Sequence, residues 1–236
     1  MNDSIQCVSI KIPWTRKDVL LIFLYILFSA LAVVLLTRIL GVSQDVEYKV
    51  FVFIVPILEI LITWGWLKKK YNISWQILGV RKGFFSYGSS FFIGAITAIS
   101  MLLIIKIIPF WNDSVLNGEA LQIDSFAVLL VPLTPLGFAR FILGPFAEEL
   151  LVRGFVFGYL KNRSSIVASH FLQASISTLM HPIYIKNSFE AGNASLISYI
   201  FIINIIFGIL YERTNSINTS IVCHGLFNYL LFLHPV

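Results

Sequence analysis

The stretch Gly144-Pro145-Phe146-Ala147-Glu148-Glu149-Leu150-Leu151-Val152-Arg153-Gly154 sets two adjacent carboxylates and a guanidinium inside a run that is otherwise nearly all apolar. Mostly apolar sequence flanks it, from Phe126 to Phe141 and from Phe155 to Leu160. An ionisable residue at membrane depth is expensive, so each of these three is a candidate functional residue by default. On a helix Glu149 and Arg153 stand at i and i+4, on one face and within reach of each other. Glu148 is turned about 100° away from Glu149 around the axis. One carboxylate is therefore pinned by an arginine and the other is available. The bland alternative is a buried ion pair that fixes helix packing and does no chemistry.

The rest of the chain says what kind of solvent surrounds that stretch. Of its 236 residues 58% are hydrophobic and 12% charged, and the mean hydropathy is +0.86. Soluble domains run at about 45–50% apolar and about 25% charged, so too few polar residues remain to coat a water-exposed surface. The composition specifies an all-α, polytopic membrane bundle. The net charge of +5 is carried mainly at helix ends, which suits topology and anionic lipid headgroups and excludes a nucleic-acid partner. Cys7 and Cys223 sit in unrelated segments and form neither a disulfide framework nor a metal knuckle. The first apolar run, Val19 to Leu36, has no small-residue cleavage site and reads as a retained anchor.

Spans are expected at about Val19–Leu40, Val50–Leu67, Tyr87–Ile108, Phe126–Leu160 in two pieces, Ile166–Met180, Ser195–Leu210 and Thr219–Leu233. That makes seven or eight crossings, several shorter than the roughly 20 residues a straight crossing takes. Pro132, Pro135 and Pro145 are expected to divide the fourth region into a leading piece and the helix that carries the glutamates. Lys68, Lys69, Lys70, Arg81 and Lys82 between the second and third spans place that loop, and with it the N-terminus, in the cytoplasm. The loop carrying Asp113, Glu119 and Asp124 then faces outward. The Ile-, Asn- and Lys-rich composition suits a bacterial cell membrane. Without repeats or a long linker, residues 1–236 read as one membrane domain, with N-terminal helices over 1–125 and a motif-bearing core over 126–236.

Two of the four histidines lie beside other polar groups in apolar surroundings. His181 closes Ala174-Ser175-Ile176-Ser177-Thr178-Leu179-Met180-His181, and His224 shares a helix face with Asn228 four residues on. His170 and His234 receive no role. Helical bundles build sites from side chains on facing helices, and a carboxylate, two imidazoles and an amide support hydrolysis. The carboxylate can take a proton from water, the imidazoles can hold a metal that acidifies it, and the amide or a protonated imidazole can donate to an oxyanion. Cys223 adjoins His224 in sequence but points elsewhere on a helix.

The run Glu148-Glu149-Leu150-Leu151-Val152-Arg153 resembles the EExxxR signature of the CAAX-protease and bacteriocin-processing family of intramembrane proteases, also called the Abi family. His181 stands at the histidine of the family's FxxxH motif, with Ser177 where that motif has phenylalanine. Phe207-Gly208-Ile209-Leu210-Tyr211-Glu212-Arg213-Thr214-Asn215-Ser216-Ile217 resembles the stretch before the family's last motif, and His224 with Asn228 fits HxxxN. The likeness covers Phe141 to Leu230. It implies that Glu148 is the catalytic base and that His181 helps to bind the water. It further implies that Glu149 and Arg153 support the site, while His224 and Asn228 complete it as metal ligands or as an oxyanion hole. Either a divalent metal such as zinc on His181 and His224 or a metal-free glutamate mechanism fits it. The implied substrate is a membrane-bound or prenylated peptide or protein, in a setting that includes bacteriocin processing and self-immunity.

Two rival classes account for parts of the pattern. A non-catalytic immunity or scaffold protein would bind a toxin or membrane partner, and a transporter would use the buried charges as a relay. The transporter lacks repeat symmetry. Depth sets one further expectation. Glu148 and His181 agree when counted from the Lys161 turn, at roughly 20 and 25 Å, whereas His224 is about 8 Å in from the Thr219 end. The three meet only if a helix is broken or tilted, or if the Pro182–Asn193 connection dips into the membrane.

Overall fold

The computed structural model describes residues 12–81, 87–108, 111, 131–190 and 194–233. The acidic loop with Asp113, Glu119 and Asp124 lies outside these residues, as do Cys7, Lys82, Phe126 and His234. Among the described residues every regular element is helical, as the composition requires.

Helix α1 (Arg16–Ile39) and helix α2 (Gln44–Tyr71) form an antiparallel pair. One carboxylate ties its ends: Asp18 accepts from Thr15 N–H at 2.8 Å, Trp66 Nε1 at 2.9 Å, Lys70 Nζ at 2.6 Å and Tyr71 Oη at 2.6 Å. The start of α1 and the last two turns of α2 therefore stand level. Asn72 takes the left-handed conformation that ends α2, at φ 49°. A short 3-10 turn, Trp75–Leu78, follows. Helix α3 (Tyr87–Ile107) packs along the last helix of the chain.

The central helix, α4, runs from 135 to 161 through pieces Pro135–Phe138, Ala139–Leu143, Gly144–Glu149, Leu150–Phe157 and Gly158–Lys161. The second and fourth are π-helical. The expected division at Pro145 does not occur. The wider π turn before Pro145 takes up the residue whose missing N–H and bulky ring would break a regular α-helix. Every residue from Leu150 to Phe157, Arg153 included, is buried. α2, helix α5 (Ile166–Leu179), helix α7 (Ser195–Thr214) and helix α8 (Ile217–Leu233) surround α4, and the short helix α6 (Pro182–Glu190) links α5 to α7.

Large apolar side chains cover the outside, among them Leu24, Phe28, Leu35, Phe92 and Ile96. They are exposed without cost only in lipid, and the chain is an integral membrane protein. Among the described residues four helices, α1, α2, α3 and α7, are long and apolar enough to cross a membrane. They make up four of the seven or eight crossings expected. α5 and α8 are apolar but shorter, and α4 is regular only in pieces.

Candidate active site

The depth problem resolves through the turn between α7 and α8. Ile217 N–H donates to Gly79 O at 3.0 Å, Ser216 Oγ to Arg81 O at 2.6 Å, and Arg81 Nε to Asn215 O at 2.9 Å. The residue just before this seat, Leu78, lies against Gly154 of α4, where a Cβ would come within 2.4 Å of the Leu78 carbonyl oxygen. The α7–α8 turn is thus level with Gly154, about 10 Å deeper than Lys161. From that level His224 is seven residues up α8 and Glu148 six residues up α4, each about 10 Å. The histidine and the glutamate meet because the turn is sunk, and no helix need break.

Three helices then converge on one carboxylate. Glu148 Oε2 lies 3.6 Å from His181 Nε2, at the end of α5, and 3.9 Å from His224 Nε2, on α8. The Glu148 and His181 side chains keep 28% and 25% of their surface exposed, so neither is sealed inside the bundle. Each ring is anchored from behind. His181 Nδ1 lies 2.8 Å from the main-chain carbonyl of Ser177, and His224 Nδ1 lies 3.0 Å from Glu149 Oε1. An acceptor at Nδ1 fixes the tautomer with N–H at that atom and leaves Nε2 as a lone pair facing Glu148.

Behind Glu149 a fully buried polar network continues. Arg153 Nη1 donates to Glu149 Oε1 at 3.0 Å, as the i, i+4 spacing predicts. Arg153 Nη2 donates to Asn204 Oδ1 at 2.6 Å and to its carbonyl at 3.0 Å, and Gln173 Nε2 reaches the same carbonyl at 2.8 Å. The ring of Phe207 stacks on His224 at 4.8 Å and takes the Arg153 guanidinium at 5.2 Å. Glu149 thus pairs with Arg153 and holds His224 at once. Asn228, one turn beyond His224, is half-buried and makes no hydrogen bond among the described residues.

Residues 130–230 match the family described as Rce1-like, Type II CAAX prenyl endopeptidase Rce1-like. This part of the chain is similar to that family. No curated protein and no solved structure matches the chain. The Rce1-like region begins just before α4 and ends within α8, so it contains all six residues that the motifs single out.

His181 and His224 are the residues that would hold a metal in the metal-dependent alternative, and two imidazoles anchored at Nδ1 suit a divalent ion. Among the described residues, however, no group of three or more His, Cys, Asp or Glu side chains is arranged to hold one. The protein residues seen here fall short of a complete metal site, and no step below runs through an ion.

Sequence reading passed over three buried polar residues. Asn204 and Gln173 are lone polar residues in apolar helices, the signal that marks membrane-depth function, but they belong to no motif. Glu59, on α2, is a buried carboxyl in the half of the chain without motifs. His170 pairs with Glu212 at 2.8 Å, away from the Glu148 group.

Proposed function

We propose that the chain is an intramembrane endopeptidase that cuts a peptide bond near the C-terminus of a prenylated, CAAX-type substrate, with Glu148 activating the water. One observation carries the chemistry: imidazole nitrogens from two helices face a single oxygen of a partly exposed carboxylate at 3.6 and 3.9 Å. The Rce1-like match supplies the substrate class.

In this reading a water sits between Glu148 and the two Nε2 atoms. Its oxygen attacks the scissile carbonyl carbon while Glu148 takes its proton. The new C–O bond forms and the carbonyl electron pair moves onto oxygen. The Asn228 amide is the donor we assign to that oxyanion. Collapse breaks the C–N bond, and Glu148 returns the proton to the departing amine. Arg153 holds Glu149 in place. We assign the end of the bundle that carries Lys68, Lys69, Lys70 and Arg81 to the cytoplasm, so that the substrate tail enters from that side.

The test uses the purified full chain in lipid nanodiscs with a farnesylated peptide ending in a CAAX sequence and its unprenylated twin. Mass spectrometry should find the released C-terminal tripeptide only with the farnesylated peptide, and not with Glu148→Gln. A folded wild-type protein that cleaves neither peptide would sink the proposal.

A further inference from the structure

Helix α2 carries none of the family's motifs, yet it packs along α4 over the segment that holds Glu148. Its buried stripe is Val55, Glu59, Thr63 and Leu67, one residue per turn. Two of the four are polar. Glu59 keeps only 8% of its surface, and among the described residues it accepts no hydrogen bond and forms no ion pair. Thr63 is fully buried and its Oγ1 has no hydrogen-bond partner there. A carboxyl buried without a partner is too costly to be an accident of packing.

Depth places Glu59 beside the site. The Asp18 knot sets Trp66 level with Thr15, and Trp14, the next residue, donates from Nε1 to the carbonyl of Phe155 at 3.1 Å. Trp66 and Phe155 therefore mark one level. Glu59 is seven residues before Trp66 and Glu148 seven before Phe155, so both stand about 10 Å above it. Trp64 stacks on Trp75 at 3.9 Å, and Trp75 in turn meets Phe146 at 6.4 Å, a chain of rings that links α2 to α4. Glu148 is also a charge whose field acts on Glu59.

We propose that Glu59 is a positioning residue of the hydrolytic site, a second carboxyl group that faces Glu148 from α2 and orients it by hydrogen bonding. No cation stands by Glu59 among the described residues, and burying the acid costs far less than burying the carboxylate. Glu59 is then an O–H donor and Glu148 its acceptor. The donated hydrogen bond fixes one carboxylate oxygen and leaves the other toward the histidines. This inference rests on Glu148 being the base of the proposed endopeptidase.

Two measurements on the full chain in nanodiscs test it. The first needs no substrate. The infrared spectrum of wild type should contain a carboxylic-acid C=O band that disappears in Glu59→Gln and shifts in Glu148→Ala, where the acceptor is gone. The absence of such a band, or a band indifferent to Glu148→Ala, overturns the proposal whether or not the chain is a protease. The second is kinetic. Glu59→Leu should lower kcat about ten- to a hundredfold with KM little changed, and Glu59→Gln, whose amide can still donate, should recover most of that loss. Equal activity of Leu and wild type overturns the proposal, as does equal loss in Leu and Gln. If wild type does not cleave the prenylated peptide, the endopeptidase reading falls and the infrared result alone decides the Glu59–Glu148 pairing.

Discussion

His224 Nδ1 and Arg153 Nη1 both lie 3.0 Å from one oxygen of Glu149. A single carboxylate oxygen thus sets the tautomer of a site histidine and pairs with a buried guanidinium. The neighbouring Glu148 has a different task, and this division can be tested.

Glu148→Gln should abolish cleavage of the farnesylated peptide and leave the thermal unfolding temperature in detergent close to wild type. Glu149→Gln should lower both. It strands Arg153 in a dry interior, at a cost of about 3–5 kcal/mol for a well-buried pair, and it releases the His224 ring. Equal destabilisation by the two substitutions would contradict the division.

Asn204→Leu should behave like a milder form of Glu149→Gln. It removes the 2.6 Å acceptor of Arg153 Nη2, a hydrogen bond to a charged group worth about 1.5–3 kcal/mol. Denaturation of the purified protein would show the loss, and kcat should fall with it because Arg153 no longer holds Glu149 firmly.

Gly225→Ala should disable the site through packing. A Cβ at Gly225 would stand 2.2 Å from the carbonyl oxygen of Phe141, so α8 must move off α4 and carry His224 with it. Gly65, on the lipid side of α2, has nothing within 4 Å of the same added atom. Gly65→Ala should keep activity and gain up to about 1 kcal/mol in helix stability, and parallel cleavage assays on the two variants read the difference.

Ser177 stands where the family's second motif has phenylalanine, and the structure assigns its part to the main chain. The ring of His181 is held by the Ser177 carbonyl at 2.8 Å, not by its side chain. Ser177→Ala should therefore cleave at nearly the wild-type rate. Ser177→Phe, which restores the motif residue in a site packed around serine, should cost about 1–3 kcal/mol through overpacking. An Ala variant without activity would show that the hydroxyl matters after all.

How far the sequence could be read depended on where the information lay. The Glu149–Arg153 pair and the apolar envelope were legible because both follow from helical period and composition alone. The path of α4 through Pro145 was not, because a π turn leaves no mark in residue type. The meeting of His224 with Glu148 was also hidden. Counting from Lys161 assumed that all turns at one end of the bundle lie at one depth, and the seat of Ile217 on Gly79 is a tertiary contact. Asn204, Gln173 and Glu59 were visible as polar letters in apolar runs, but nothing in a single sequence says which of them face the same point.

The seat under the α7–α8 turn also bears on where this protein can be cut. Residues 130–230 carry the recognisable family pattern, yet the turn that sets the height of His224 rests on Gly79 and Arg81, Gly154 rests on Leu78, and Phe155 takes its hydrogen bond from Trp14. What heredity marks as a unit is smaller than what folding must assemble. Helices without a motif serve as the template on which the motifs are brought to a common height.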